Sequence, residues 1–88
     1  MILNLDGMNE TELWELWEQC YHNPRRTALL WFPERPEGYV RTATDLSHYA
    51  CNKSVAMKYR AKGEISVAEL YEKICENIYD KLPAFARW

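Results

Sequence analysis

Two histidines and three cysteines are the residues of this chain able to ligate a soft metal or attack a substrate. His48 and Cys51 stand one helical turn apart, and Cys20 and His22 close an earlier apolar-periodic segment. If those two ends meet, the four make a Cys2His2 zinc set. A Cys–His nucleophilic pair is reachable from the same residues. The local pattern argues against both, because Cys-x-His at a helix end is poor ligand geometry and no orienting acid is marked out for the pair. A free cysteine is by default a small hydrophobe. Cys20, Cys51 and Cys75 each lie beside apolar residues, so structural roles are expected for all three. Paired carboxylates such as Glu12 and Glu15, or Glu72 and Glu76, fall at helical spacing on faces that read as solvated. Glycine-rich phosphate loops, Gly-x-Ser-x-Gly and Cys-x-x-Cys are absent from the sequence. No catalytic residue, metal site or cofactor is therefore assigned, and the chain is expected not to be an enzyme.

The elements that would carry these residues must fit into 88 residues, enough for one small domain with a thin core. A content of 48% apolar and 27% charged residues argues against disorder. No apolar run approaches the roughly 18 residues of a membrane helix. The opening MILNLDGMNE has neither a basic leader nor an apolar core of a signal peptide. Three cysteines without paired spacing suit a reducing compartment, so a cytoplasmic location is expected and no membrane partner.

Three helices are expected, near 9–21, 44–62 and 66–82, in a single all-α domain over 1–88. Asn9 and Glu12 form a capping-box pattern, and Leu13, Leu16, Trp17 and Cys20 follow on one face. Asn23-Pro24 ends that helix. Residues 24–42 are the least regular part: the run Thr27–Phe32 reads as a short helix or an extended segment, and a helical or irregular conformation is preferred over a strand pairing with 39–42. Thr42 or Thr44 caps the second helix, which stops at Gly63, the usual left-handed residue after a helix. Ser66 and Glu69 offer a second capping box, and Pro83 closes the third helix. A tail ending in Phe85 and Trp88 is expected to pack back on the body.

The link Gly63-Glu64-Ile65 is so short that the second and third helices must be antiparallel neighbours. Asn52, Val55, Ala56 and Tyr59 make an inner stripe on one, and Ala68, Tyr71, Cys75, Ile78 and Leu82 on the other. The offsets Val55-Ala56-x-x-Tyr59, Gly63, Ala68, Cys75 and Ile78 resemble one tetratricopeptide (TPR) helix–turn–helix unit over about thirty residues. Asn52 and Glu72 depart from that pattern, which has aromatics there, and nothing in 1–44 repeats it. The resemblance implies a three- to four-helix domain with a TPR-like pair in its C-terminal half. It also implies a groove for an extended peptide on the face of Lys53, Met57 and Arg60. The ending Ile78–Pro83 with Ala86-Arg87-Trp88 is similar to small proteins of tailed phages, which implies a phage or mobile-element origin and no particular activity.

Net charge is −2 and is segregated along the chain: Glu10, Glu12, Glu15 and Glu18 in the first helix, and Lys53, Lys58, Arg60 and Lys62 in the second. The leading expectation is a non-enzymatic module that binds another protein through Lys53, Met57, Arg60, Trp31 and Tyr39. A homodimer is expected through Leu70, Ile74, Trp14, Trp17 and Trp88, since twelve aromatic rings (four Trp, six Tyr, two Phe) exceed what one thin core covers. The alternative is nucleic-acid binding by Arg25, Arg26, Arg41, Lys53, Lys58 and Arg60, with Trp31 and Tyr39 stacking on bases.

Overall fold

The computed structural model describes residues 3–88. It is all-α: α1 (Glu10–His22), α2 (Pro24–Trp31), α3 (Tyr39–Ala61) and α4 (Ile65–Lys81), with short 3-10 turns at Leu5–Gly7 and Ala84–Ala86. No strand occurs among the described residues.

Helix α1 begins as its sequence dictates. The Glu12 amide donates to the Asn9 side chain at 2.8 Å and the Asn9 amide to the Glu12 carboxylate at 3.0 Å, satisfying two N-terminal donors reciprocally. Asn23-Pro24 both ends α1 and starts α2. The Asn23 amide donates to the Gln19 carbonyl, while its side chain accepts from the Arg26 amide and Pro24 takes the first helical position. Within the segment expected to be helical or irregular, α2 is a helix, held to α1 by the Thr27 hydroxyl donating to the Gln19 carbonyl at 3.0 Å.

Helix α3 opens at Gly38, whose φ of +75° reverses the chain, and not at Thr42 or Thr44. Both threonines lie inside the helix, where Thr44 donates back to the Val40 carbonyl at 3.1 Å. Ser66 forms no cap either, for α4 starts one residue before it, after Glu64, without a side-chain cap. Gly63, at φ +81°, makes the left-handed turn expected of it.

Helix α3 is the spine: α1, α2 and α4 all pack on it, and α1 also packs on α2. The Cys75 thiol points at the Tyr49 carbonyl, and Tyr59 stacks on Tyr71 nearer the turn, so α4 runs antiparallel to α3. On the other flank the Cys20 thiol reaches the Ala43 carbonyl, while Glu10 and Trp14 lie beside Lys58. Helix α1 is therefore also antiparallel to α3. The core runs through Leu13, Ala28, Trp31, Phe32, Leu46, Ala50 and Leu82.

Both chain ends close one side of this layer. Phe85 meets Phe32 edge-on, and the Trp88 ring meets Tyr49 and Tyr79 the same way. Asp6 ties the ends together, accepting from the Tyr49 hydroxyl at 2.9 Å and from the Trp88 indole N–H at 2.7 Å. Asp6→Ala removes the acceptor of both donors. Because water reaches this site, the expected loss is about 1 kcal/mol, read as a fall of about 4–8 °C in Tm.

Candidate functional site

The opposite side of the layer carries no such cover. On α3, Cys51, Val55 and Tyr59 follow at four-residue steps and stay half-exposed, on the side away from Leu46, Tyr49 and Met57. Helix α1 contributes an aromatic ladder to this face: Trp14 and Trp17 centroids lie 4.8 Å apart, and Trp17 and Tyr21 5.2 Å apart. Between α1 and α3 lies a groove of about 540 Å³, floored by Trp14, Val55 and Tyr59. Glu10, Glu15 and Glu18 rim it from α1, against Lys58 from α3. Tyr59 carries the surface on to α4 by stacking on Tyr71 at 5.9 Å. Beyond Tyr71, α4 exposes Leu70 and Ile74, at 67% and 42% of their surface.

This arrangement leaves only part of the expected dimer surface in place. Leu70, Ile74 and Trp14 are exposed and Trp17 is half-buried in the aromatic ladder. Trp88 lies across the molecule, locked against Tyr49, Tyr79 and Asp6. Helix α3 lies between α1 and α4, so Leu70 and Ile74 face away from α1.

The residues expected to bind a partner are dispersed. Trp31 is only 4% exposed and belongs to the core, since α2 turns it inward against α3. Tyr39 and Met57 pack half-buried on that core. Lys53 lies 3.9 Å from Asp6, on the side covered by the chain ends. Arg60 binds Glu72 of α4 through two hydrogen bonds of 2.9 and 2.7 Å. Those bonds raise the Arg60 guanidinium above its usual range and hold the Glu72 carboxyl below its own. On the face of Lys53, Met57 and Arg60, Arg60 is thus engaged by Glu72, and Lys53 borders a hollow beside the chain ends. Val55 and Tyr59, placed by their spacing on the inner stripe, line the α1–α3 groove. The signal that could have found it is the coincidence of the acidic helix edge with Trp14.

The candidate cations of α3 are spread along its length. Arg41 sits in the first turn of α3, and Lys58 and Arg60 in its last, about 25 Å apart at 1.5 Å per residue. Trp31, one of the two rings expected to stack on bases, is buried, while Tyr39 is half-buried.

Of the four candidate zinc ligands, Cys20 and His48 border one small hollow beneath Trp17 and Tyr21, which His22 and Cys51 do not line. Among the described residues, no three His, Cys, Asp or Glu side chains are grouped to hold a metal ion.

A second cavity, about 580 Å³, lies under the chain ends among Asp6, Tyr49, Lys53, Cys75, Tyr79 and Trp88. Burial pushes the Cys75 thiol up to about 11 and, reinforced by the hydrogen bond to Asp6, raises the Tyr49 hydroxyl as well. Both groups are held in their protonated forms by folding. Their contribution is complete below the unfolded thiol range and falls as pH rises through the folded values. Stability is expected to decline from about pH 9 to about pH 11, as urea denaturation at fixed ionic strength will show. Cys75→Ser should flatten part of that decline.

Comparison of the chain with family models, curated proteins and solved structures finds no match. Among the described residues, no helix is long and apolar enough to cross a membrane.

Proposed function

We propose that this protein is a non-enzymatic interaction module that binds a partner protein through the open face of its helical layer. The observation that carries the reading is the continuity of that face. Trp14, Val55, Tyr59, Tyr71 and Ile74 join three helices into one partly exposed apolar surface, while on the other side Phe85 and Trp88 pack back onto Phe32, Tyr49 and Tyr79. A connected apolar surface on a chain this small marks an interaction site. The TPR likeness belongs to this reading, with Ala56 and Ala68 buried beside the turn of the α3–α4 pair as that unit requires. The groove, however, lies between α1 and α3.

Capture of proteins from the native host with the wild-type chain and with Trp14→Ala tests the reading. A partner retained by the first and lost with the second supports it. Identical retention by both would sink it.

Self-association is part of the same proposal. Leu70 and Ile74 lie one turn apart on the free flank of α4, a self-complementary strip for two-fold pairing. Sedimentation should show a mass rising above 10.5 kDa with concentration. Ile74→Glu should hold it at the monomer value, because a charge would then sit in a desolvated apolar contact. A wild-type mass that stays at 10.5 kDa across the micromolar range would end the dimer proposal.

A further inference from the structure

We infer that the α1–α3 groove takes an arginine-bearing amphipathic helix of a partner protein. This inference rests on the interaction reading above and gives the partner its chemistry. The first observation is shape: the groove lies between two antiparallel helices, and Trp14 in its lining is 40% exposed. With Trp14, Val55 and Tyr59 set among polar and charged neighbours, the trough offers apolar contact for side chains spaced by helical turns and a polar rim beside it.

The second observation is charge. Glu10, Glu15 and Glu18 rim the trough with Lys58 as the single cation, so the potential there is negative although the molecule as a whole is nearly neutral. Among the described residues, none of these three carboxylates forms an ion pair; the pairs found there are Lys53–Asp6, Arg60–Glu72 and Lys73–Glu76. An acidic partner would meet like charge on entering, which suppresses it, while a cationic one is steered in.

The third observation selects arginine over lysine. The exposed indole of Trp14 lies among the carboxylates. A guanidinium stacks flat on an indole and still presents its edge donors to a carboxylate, whereas an ammonium makes a point contact and holds its water more tightly.

Two synthetic helical peptides of equal length and identical leucine pattern test this, one with arginine and the other with glutamate at the polar positions flanking the leucines. Each is titrated onto the full chain and followed by backbone and indole N–H resonances. The arginine peptide is expected to bind saturably, with the largest shifts at the Trp14 indole and at residues 10–18 and 54–59. Its affinity should fall roughly tenfold with Glu15→Lys and with Trp14→Ala. Glu34→Lys, the same charge change in the exposed loop before α3, should leave it unchanged within about twofold. Glu15 lies on the surface, so Glu15→Lys keeps the test valid should Trp14→Ala disturb the fold.

Equal losses from Glu15→Lys and Glu34→Lys would reduce the effect to bulk charge and overturn the inference. So would indifference to Trp14→Ala, shifts centred on Leu70 and Ile74, or no saturable binding. Saturable binding of the glutamate peptide at Trp14 would refute the cationic partner while leaving the interaction module standing. A host capture lost with Trp14→Ala, alongside failure of both peptides, would separate the two readings in the same way.

Discussion

Trp31→Ala is expected to destabilise the domain by about 3–5 kcal/mol, the range for truncating a large buried aromatic. Trp31 is 4% exposed and sits with Ala28 and Phe32 in the same core as Leu46 and Ala50. Helix α2 has only eight residues, too few to be stable without the packing of its buried side. Losing the indole removes the main anchor of that side, so α2 should detach along with the Phe32–Phe85 contact beneath the tail. At about 4–8 °C per kcal/mol for a domain of this size, the variant should melt well below the wild type. Urea denaturation followed by far-ultraviolet circular dichroism is the appropriate measurement, because removing a tryptophan alters fluorescence directly. A loss within about 0.5 kcal/mol, the range for surface substitutions, would return Trp31 to the surface and disprove the packing of α2.

The second large effect is expected at the close approach of α3 and α4. Cys75 meets the carbonyl of Tyr49, and stepping seven residues toward the turn on each antiparallel helix sets Ala68 opposite Ala56. Both are buried, at 0% and 1% exposure. Leucine at either position has to displace the facing backbone, at a cost of about 1–3 kcal/mol. The paired substitution should depart from the sum of the singles, since this register sets the two sites facing each other. Ala61→Leu, at an exposed position near the end of α3, is the control and should change stability by less than about 0.5 kcal/mol. If Ala56→Leu and Ala68→Leu behave like that control, the register of the α3–α4 pair is wrong.

Local signals were most legible where one residue had one meaning. Asn9 with Glu12 allowed a single reading, and so did Gly63 at the α3–α4 turn and Pro83 after α4. They failed where a residue type serves two roles. A proline after asparagine stops one helix and opens the next, and at Asn23-Pro24 it does both. Threonine and serine cap helices but are also tolerated inside them when the hydroxyl bonds back to the preceding turn, as Thr44 does to Val40. Hence α3 begins at Tyr39 and not at 44, and α4 begins before Ser66.

The candidate site divides along the same line. Its raw materials were visible in the chain: an acidic edge on the first helix, a tryptophan among those carboxylates, and Leu70 and Ile74 on the last helix. What could not be read was which α3 face those features would meet. Val55 and Tyr59 fit an inner stripe by spacing, and Lys53, Met57 and Arg60 fit an outer one. Periodicity defines the faces of a helix but not which neighbour each one meets. The tertiary structure decided this by placing α3 between α1 and α4 and folding both chain ends over one side. That cover draws on contacts far apart in sequence, such as Trp88 with Asp6 and Phe85 with Phe32. The sequence by itself determined the extents of α1 and α4, the antiparallel α3–α4 turn and the charge of each edge, because these follow from interactions within a few residues, whereas α2 and the first turns of α3 were settled only in the fold. Which side of the layer stays open depends on where the ends of the chain come to rest, and only long-range packing sets that.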